Sequence, residues 1–105
     1  MNYDIDFFLN RAENTPDELW CVGTMGDGIK HCFVGQCESW MEFSALSKIC
    51  GDLANAADVN DGLNLLYPQE TPRFRVIAYL MDKKAEQAVA EAEAIIQNPV
   101  EVLEV

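Results

Sequence analysis

The sequence is poor in positive charge: seven Lys and Arg stand against 18 Asp and Glu, a formal net charge of −11 over 105 residues. Gripping phosphates takes clustered Lys and Arg, so this balance excludes a protein that reads nucleic acid directly. An anionic membrane surface is excluded on the same ground, because such surfaces attract polybasic segments. There is one histidine, His31, which removes most Ser-His-Asp and Cys-His schemes unless that residue is the base. Neither a Gly-x-x-x-x-Gly-Lys-Ser/Thr loop nor a strand-Gly-x-Gly-x-x-Gly-helix unit occurs. No run approaches the roughly 20 apolar residues of a membrane span. The opening Met1-Asn2-Tyr3-Asp4-Ile5-Asp6 is acidic where a secretory leader would be basic. The expectation is a cytoplasmic protein with its four cysteines reduced.

What is present suffices for one core. Half the residues are apolar and 10% aromatic, too many for a disordered chain, and the length fits a single domain over residues 1–105. Cys21, Cys32, Cys37 and Cys50 contain no Cys-x-x-Cys pair. A thiol or metal site built from Cys21, His31, Cys32 and Cys37 is arithmetically open, yet the spacing matches neither zinc ribbon nor finger. The plainer expectation is four small buried hydrophobes, with no cofactor. Asp58, Asn60, Asp61 and Asn64 form the tightest oxygen cluster, and turn chemistry accounts for it. The acids are dispersed, so a solvated face is the default; ordered rows of carboxylate, mimicking nucleic acid, are the sharper alternative.

Along the chain, Ile5, Phe8, Leu9 and Ala12 make one helical stripe behind a cap at Asp4. Thr15-Pro16-Asp17-Glu18 has the form of a capping box opening a turn or two that ends near Trp20. From Cys21 to Gly35 the composition turns to Val, Thr, Phe and Ile around Gly26-Asp27-Gly28. This predicts an antiparallel β-hairpin with Asp27-Gly28 at its turn, or Gly26-Asp27 if the register slips. Ser39-Trp40-Met41-Glu42 caps a helix whose apolar face carries Phe43, Leu46, Ile49, Cys50, Leu53 and Ala57; Trp40 and Met41 fall on the opposite side. Gly51 either ends that helix or weakens it. Residues 58–71 read as a loop. Thr71-Pro72 then opens a long helix over 72–97, which stops before Asn98-Pro99. Its buried stripe is Ile77, Leu80, Met81, Ala88, Ala92 and Ile95. The alanine-rich end either projects or meets its counterpart in a homodimer. The tail, 98–105, is β-prone and either adds a third strand at the hairpin edge, the preferred reading, or is disordered.

Trp20-Cys21-Val22-Gly23, Cys32-Phe33-Val34-Gly35, Asn60-Asp61, and Thr71-Pro72 with Val76 and Leu80 resemble the pattern of a family of small bacterial and phage proteins classed as a domain of unknown function. Val59 stands where members often carry Trp. The resemblance implies a fold and a bacterial or phage setting, and no catalytic residue. Together these readings predict an α+β domain, three or four helices packed around the small hairpin. Its expected work is non-enzymatic, through protein–protein contacts, of the kind a phage accessory or host-modulating factor performs. Trp20, Trp40 and Tyr67 are the aromatics of the kind that anchor interfaces, with core packing the plainer fate of a tryptophan; the candidate surface is Asn60, Asp61, Trp20 and Tyr67.

Overall fold

The computed structural model describes residues 2–97, and the expected third strand at 98–105 lies outside them. Four helices follow in order: α1 (Ile5–Asn14), α2 (Trp40–Cys50), α3 (Leu53–Asp61) and α4 (Pro72–Gln97). Local chemistry sets most of their starts. The Asp4 carboxylate accepts from the Phe7 amide (2.9 Å), the Ser39 hydroxyl from the Glu42 amide (3.2 Å) and the Thr71 hydroxyl from the Phe74 amide (3.2 Å). Each satisfies an amide that the first turn leaves without a partner. Gly51 ends α2, and Asp52 at once caps α3 through the Ala54 amide (2.9 Å). Asp58 to Asp61, expected in a loop, are therefore the last turn of a helix. Thr15 caps nothing after it: its hydroxyl donates back to the Arg11 carbonyl (2.8 Å), closing α1, and Asp17–Leu19 is a bare 3₁₀ turn.

The α+β expectation is wrong for the described residues: they contain helices and no β-strand. Where a hairpin was predicted, residues 20–33 form an irregular loop. The turn falls one residue beyond the expected Asp27-Gly28: the Asp27 amide donates to the Lys30 carbonyl (3.0 Å) around Gly28-Ile29, and the Asp27 carboxylate accepts from the Ile29 and Lys30 amides (3.0 and 2.8 Å). The arms never pair as strands because Gly23, at φ +78°, bends the chain between Val22 and Thr24. Only two or three residues remain between breakers, short of the five or six typical of a strand. The chain doubles back so that both Trp20 and Gly26 lie against His31. A second close approach fixes the loop from outside. A Cβ on Gly35 would sit 1.9 Å from the Met25 carbonyl oxygen, so only glycine lets the 23–26 segment lie on the 3₁₀ turn at Val34–Gln36.

α1 and α3 both pack on the N-terminal half of α4, and α2 leans on α3. Ile5, Phe8 and Ala12 of α1 meet Trp20, Phe33 and Val34 from the loop, Leu46 and Cys50 from α2, Ala56 and Val59 from α3, and Val76, Tyr79 and Leu80 from α4. Phe8 and Phe33 meet edge to face, centroids 6.3 Å apart. Burial stops at Leu80. Of the predicted α4 stripe, Leu80 is buried and Ile77 half-buried, whereas Met81, Ala88, Ala92 and Ile95 are exposed. The last four turns of α4 thus stand clear of the core. Alanine, glutamate and glutamine, all strong helix formers, dominate them.

Candidate functional site

Two neighbouring features sit where the loop, α2 and α3 meet. One is a polar node and the other an apolar cleft.

The node is centred on Asn60, fully buried at the end of α3. Its Oδ1 accepts from the Phe33 amide (3.0 Å), and its Nδ2 donates to the Cys21 carbonyl (2.8 Å) and to Asp61 Oδ1 (3.0 Å). Asp61 Oδ1 also accepts from the Gly23 amide (3.0 Å). From the other side, the Arg75 guanidinium of α4 donates to the Val59 carbonyl (3.2 Å), the Asn60 carbonyl (2.7 Å) and the Gln69 carbonyl (3.0 Å). A cation there meets the negative end of the α3 dipole and the carbonyls it leaves unpaired. Gly62 caps the same end, and its missing side chain leaves room for Arg75. These contacts bind α3, α4 and the 20–33 loop to one another. They are architecture.

The cleft lies beside it, with a volume of about 550 Å³. Met25 and Val34 form one wall, Trp40 and Phe43 of α2 the second, and Leu53, Ala54 and Ala57 of α3 the third; Asp61 stands at the polar rim. Trp40 is 87% exposed, its ring centroid 5.8 Å from that of Phe43. It also borders a second groove beyond α2 with Met41, Ala45 and Ile49. A bare indole on a ridge between two apolar grooves is an unusual exposure for so large a ring.

The structure brings Asn60 and Asp61 together and separates them from the predicted aromatic partners. Trp20 is 5% exposed, and its Nε1 donates to the Thr15 carbonyl (2.9 Å). Tyr67 is 8% exposed, donates to Asp82 (2.9 Å) and packs edge-on against Tyr79. Burial and the Asp82 charge push the Tyr67 hydroxyl up to about 12. Of the four, only Asp61 borders the cleft. Trp40, named with Trp20 and Tyr67 as an interface aromatic but left out of the candidate surface, had a further signal in its place opposite the apolar face of α2.

The thiol and metal alternative fares differently. Among the described residues no three His, Cys, Asp or Glu side chains converge as metal ligands would. Cys32 is buried, its sulfur accepting from the Gly35 amide (3.3 Å), while His31 is exposed. Burial, then the Glu42 charge, pushes the Cys37 thiol up to about 11, and burial raises Cys21 and Cys50 as well. Such thiols stay protonated and are poor nucleophiles. Many acids hold structural posts: Asp4 and Asp52 cap helices, Asp27 closes a turn, and Glu42 is buried in an ion pair with Arg11. No described helix is long and apolar enough to cross a membrane. No family model, curated protein or solved structure matches the chain.

Proposed function

We propose that the protein works by protein–protein contact, seating an apolar segment of a partner in the cleft between α2, α3 and the 23–25 loop. The observation that carries this reading is Trp40, 87% exposed at the edge of an otherwise apolar cleft. Aromatic anchors at the centre of an interface carry much of its binding energy. Burying that ring against a partner removes a large apolar area from water, at about 25 cal/mol per Å². Charge selects the partner's flanks. Five of the seven basic residues already have partners within the chain: Arg11 with Glu42, Arg73 with the Glu13 carbonyl, Arg75 with α3, Lys83 with Glu86 and Lys84 with Asp6. The exterior is left strongly negative, with Asp61 at the cleft's rim, so the fitting segment is amphipathic with Lys or Arg beside its apolar anchors.

The test is selection of binders from a random-peptide library on the full chain, with two variants as counter-targets. Trp40→Ala removes the anchor. Ala54→Glu places a carboxylate at the cleft mouth, in the first turn of α3, where the helix dipole favours it and folding is kept. Peptides rich in aromatic and basic residues that lose at least about tenfold in affinity to both variants support the reading. Peptides that bind both variants as they bind the parent chain place the surface elsewhere.

A further inference from the structure

Two backbone hydrogen bonds lay the stretch after the 3₁₀ turn at Asp17–Leu19 alongside the stretch that closes the 20–33 loop. The His31 amide donates to the Leu19 carbonyl (2.9 Å) and the Cys21 amide to the His31 carbonyl (3.3 Å). This is the pattern of a parallel bridge, and it sets Trp20 beside His31. One step further along both segments stand Cys21 and Cys32, both free thiols. Paired backbones run about 4.8 Å apart, and residues in register share a side. That separation lies within the roughly 4.4–6.8 Å that a disulfide needs between its Cα atoms. Burial first, and then the sulfur of Cys32, raises the Cys21 thiol, a mark of the same closeness. The other two cysteines are placed apart. Cys37 lies beyond the 3₁₀ turn at Val34–Gln36, and Cys50 is hydrogen-bonded to Tyr79 of α4.

We propose that Cys21 and Cys32 are a site of reversible oxidation, closed to a disulfide at the base of the 22–31 loop by a low-molecular-weight disulfide. Cys21 is half-buried and Cys32 only 4% exposed, which sets the order of events. Cys21 loses its proton, and its sulfur attacks one sulfur of the small disulfide. That S–S bond breaks, and the released thiolate takes up a proton. Cys32 then gives up its proton and attacks the sulfur of Cys21, expelling the second small thiol. Two protein thiols are oxidised, and one small disulfide is reduced to two thiols. The raised Cys21 thiol makes the first exchange slow, while the outcome rests on how closely the fold pairs the two sulfurs. No residue from 21 to 31 is buried, and a segment with so few apolar contacts opens locally at small cost. The same loop carries Gly23, Thr24 and Met25 of the cleft wall. A cross-link at its base therefore stiffens one side of the cleft.

Titration of the full chain with mixtures of reduced and oxidised glutathione at about pH 8, then alkylation and peptide mapping by mass spectrometry, tests the pair. The native chain is expected to lose two of its four thiols and to yield a Cys21–Cys32 cross-link. Half-oxidation should need at least about tenfold less oxidised glutathione in the native chain than in about 8 M urea, because only the native chain holds the sulfurs together. By the same linkage, oxidation should raise the midpoint of thermal unfolding by about 5–10 °C. Hydrogen exchange across 22–31 should slow with it. Cys32→Ala is expected to leave Cys21 carrying one glutathione, and Cys21→Ser to abolish both the cross-link and the rise in the midpoint. Four thiols surviving in the oxidised native chain overturn the proposal. So does a cross-link through Cys37 or Cys50, or one that forms as readily in urea. Neither result bears on whether the cleft holds a partner.

Discussion

Asn60 offers the sharpest test of how the fold is held. Substituting alanine removes the partner of the Phe33 amide, in a residue only 2% exposed, and leaves a small cavity where the carboxamide stood. The orphaned buried amide costs about 1–3 kcal/mol and the cavity about another 1, while the half-exposed Cys21 carbonyl regains water. Asn60→Ala should therefore cost about 3 kcal/mol, a large part of the roughly 5–15 kcal/mol that holds a domain together. Asn60→Asp keeps the size but turns a donor into an acceptor. The new oxygen would face the Cys21 carbonyl and Asp61 Oδ1, which the amide nitrogen meets at 2.8 and 3.0 Å. Only a protonated carboxyl fits between them. Burial and the Asp61 charge thus raise the folded-state pKa of the new group above the ordinary value near 4. The folded chain then holds that proton to higher pH than the unfolded chain. Stability is retained below about pH 4 and falls, by up to about 1.4 kcal/mol per pH unit, as pH rises through the folded pKa. Urea unfolding followed by circular dichroism at about pH 4, 5.5 and 7, each variant against the parent at the same pH, measures both effects. An alanine cost below about 1 kcal/mol, or an aspartate cost that does not change with pH, would refute the node as described.

Gly35→Ala forces a Cβ to within 1.9 Å of the Met25 carbonyl oxygen, and displacing that backbone should lower the midpoint of thermal unfolding by about 5–10 °C, read by calorimetry. Arg11→Met leaves Glu42, 4% exposed, without its cation and should cost about 2–4 kcal/mol in urea unfolding; adding Glu42→Gln should recover part of it. Because burial pushes the Cys37 thiol up to about 11, Cys37 in native protein at about pH 8 should react with a thiol reagent far more slowly than Cys37 in unfolded protein. Fast native labelling of Cys37, located by mass spectrometry, would contradict its burial.

What the sequence disclosed was what local chemistry decides. Asp4, Ser39 and Thr71-Pro72 mark helix starts, and the bounds of α1 and the start of α4 follow from caps and stops within a few residues. The 21–35 segment misled because its β-branched and aromatic residues are shared by strands and buried loops. The outcome turned on the conformation of Gly23 and on the contact between Gly35 and Met25, both set by distant parts of the chain. α3 was missed because Gly51-Asp52 both stops one helix and caps another, and its last turn spells Asn-Asp-Gly, the commonest of turn sequences. Trp20 and Trp40 are indistinguishable as letters. One is folded in by its bond to Thr15; the other is left out because α2 offers its opposite face to the core.

The wall of the cleft that carries Met25 is held at its own carbonyl, which accepts from the Cys32 amide (3.0 Å), and at the node. The node holds it through the Gly23 amide on Asp61 and the Cys21 carbonyl on Asn60. Occupancy and tethering are therefore linked quantities, and linkage is reciprocal. A segment that binds against Met25 should slow hydrogen exchange at the Phe33 amide, which lies outside the cleft lining. Cutting the tether with Asn60→Ala should weaken that segment by the same free energy, although every residue it contacts is unchanged.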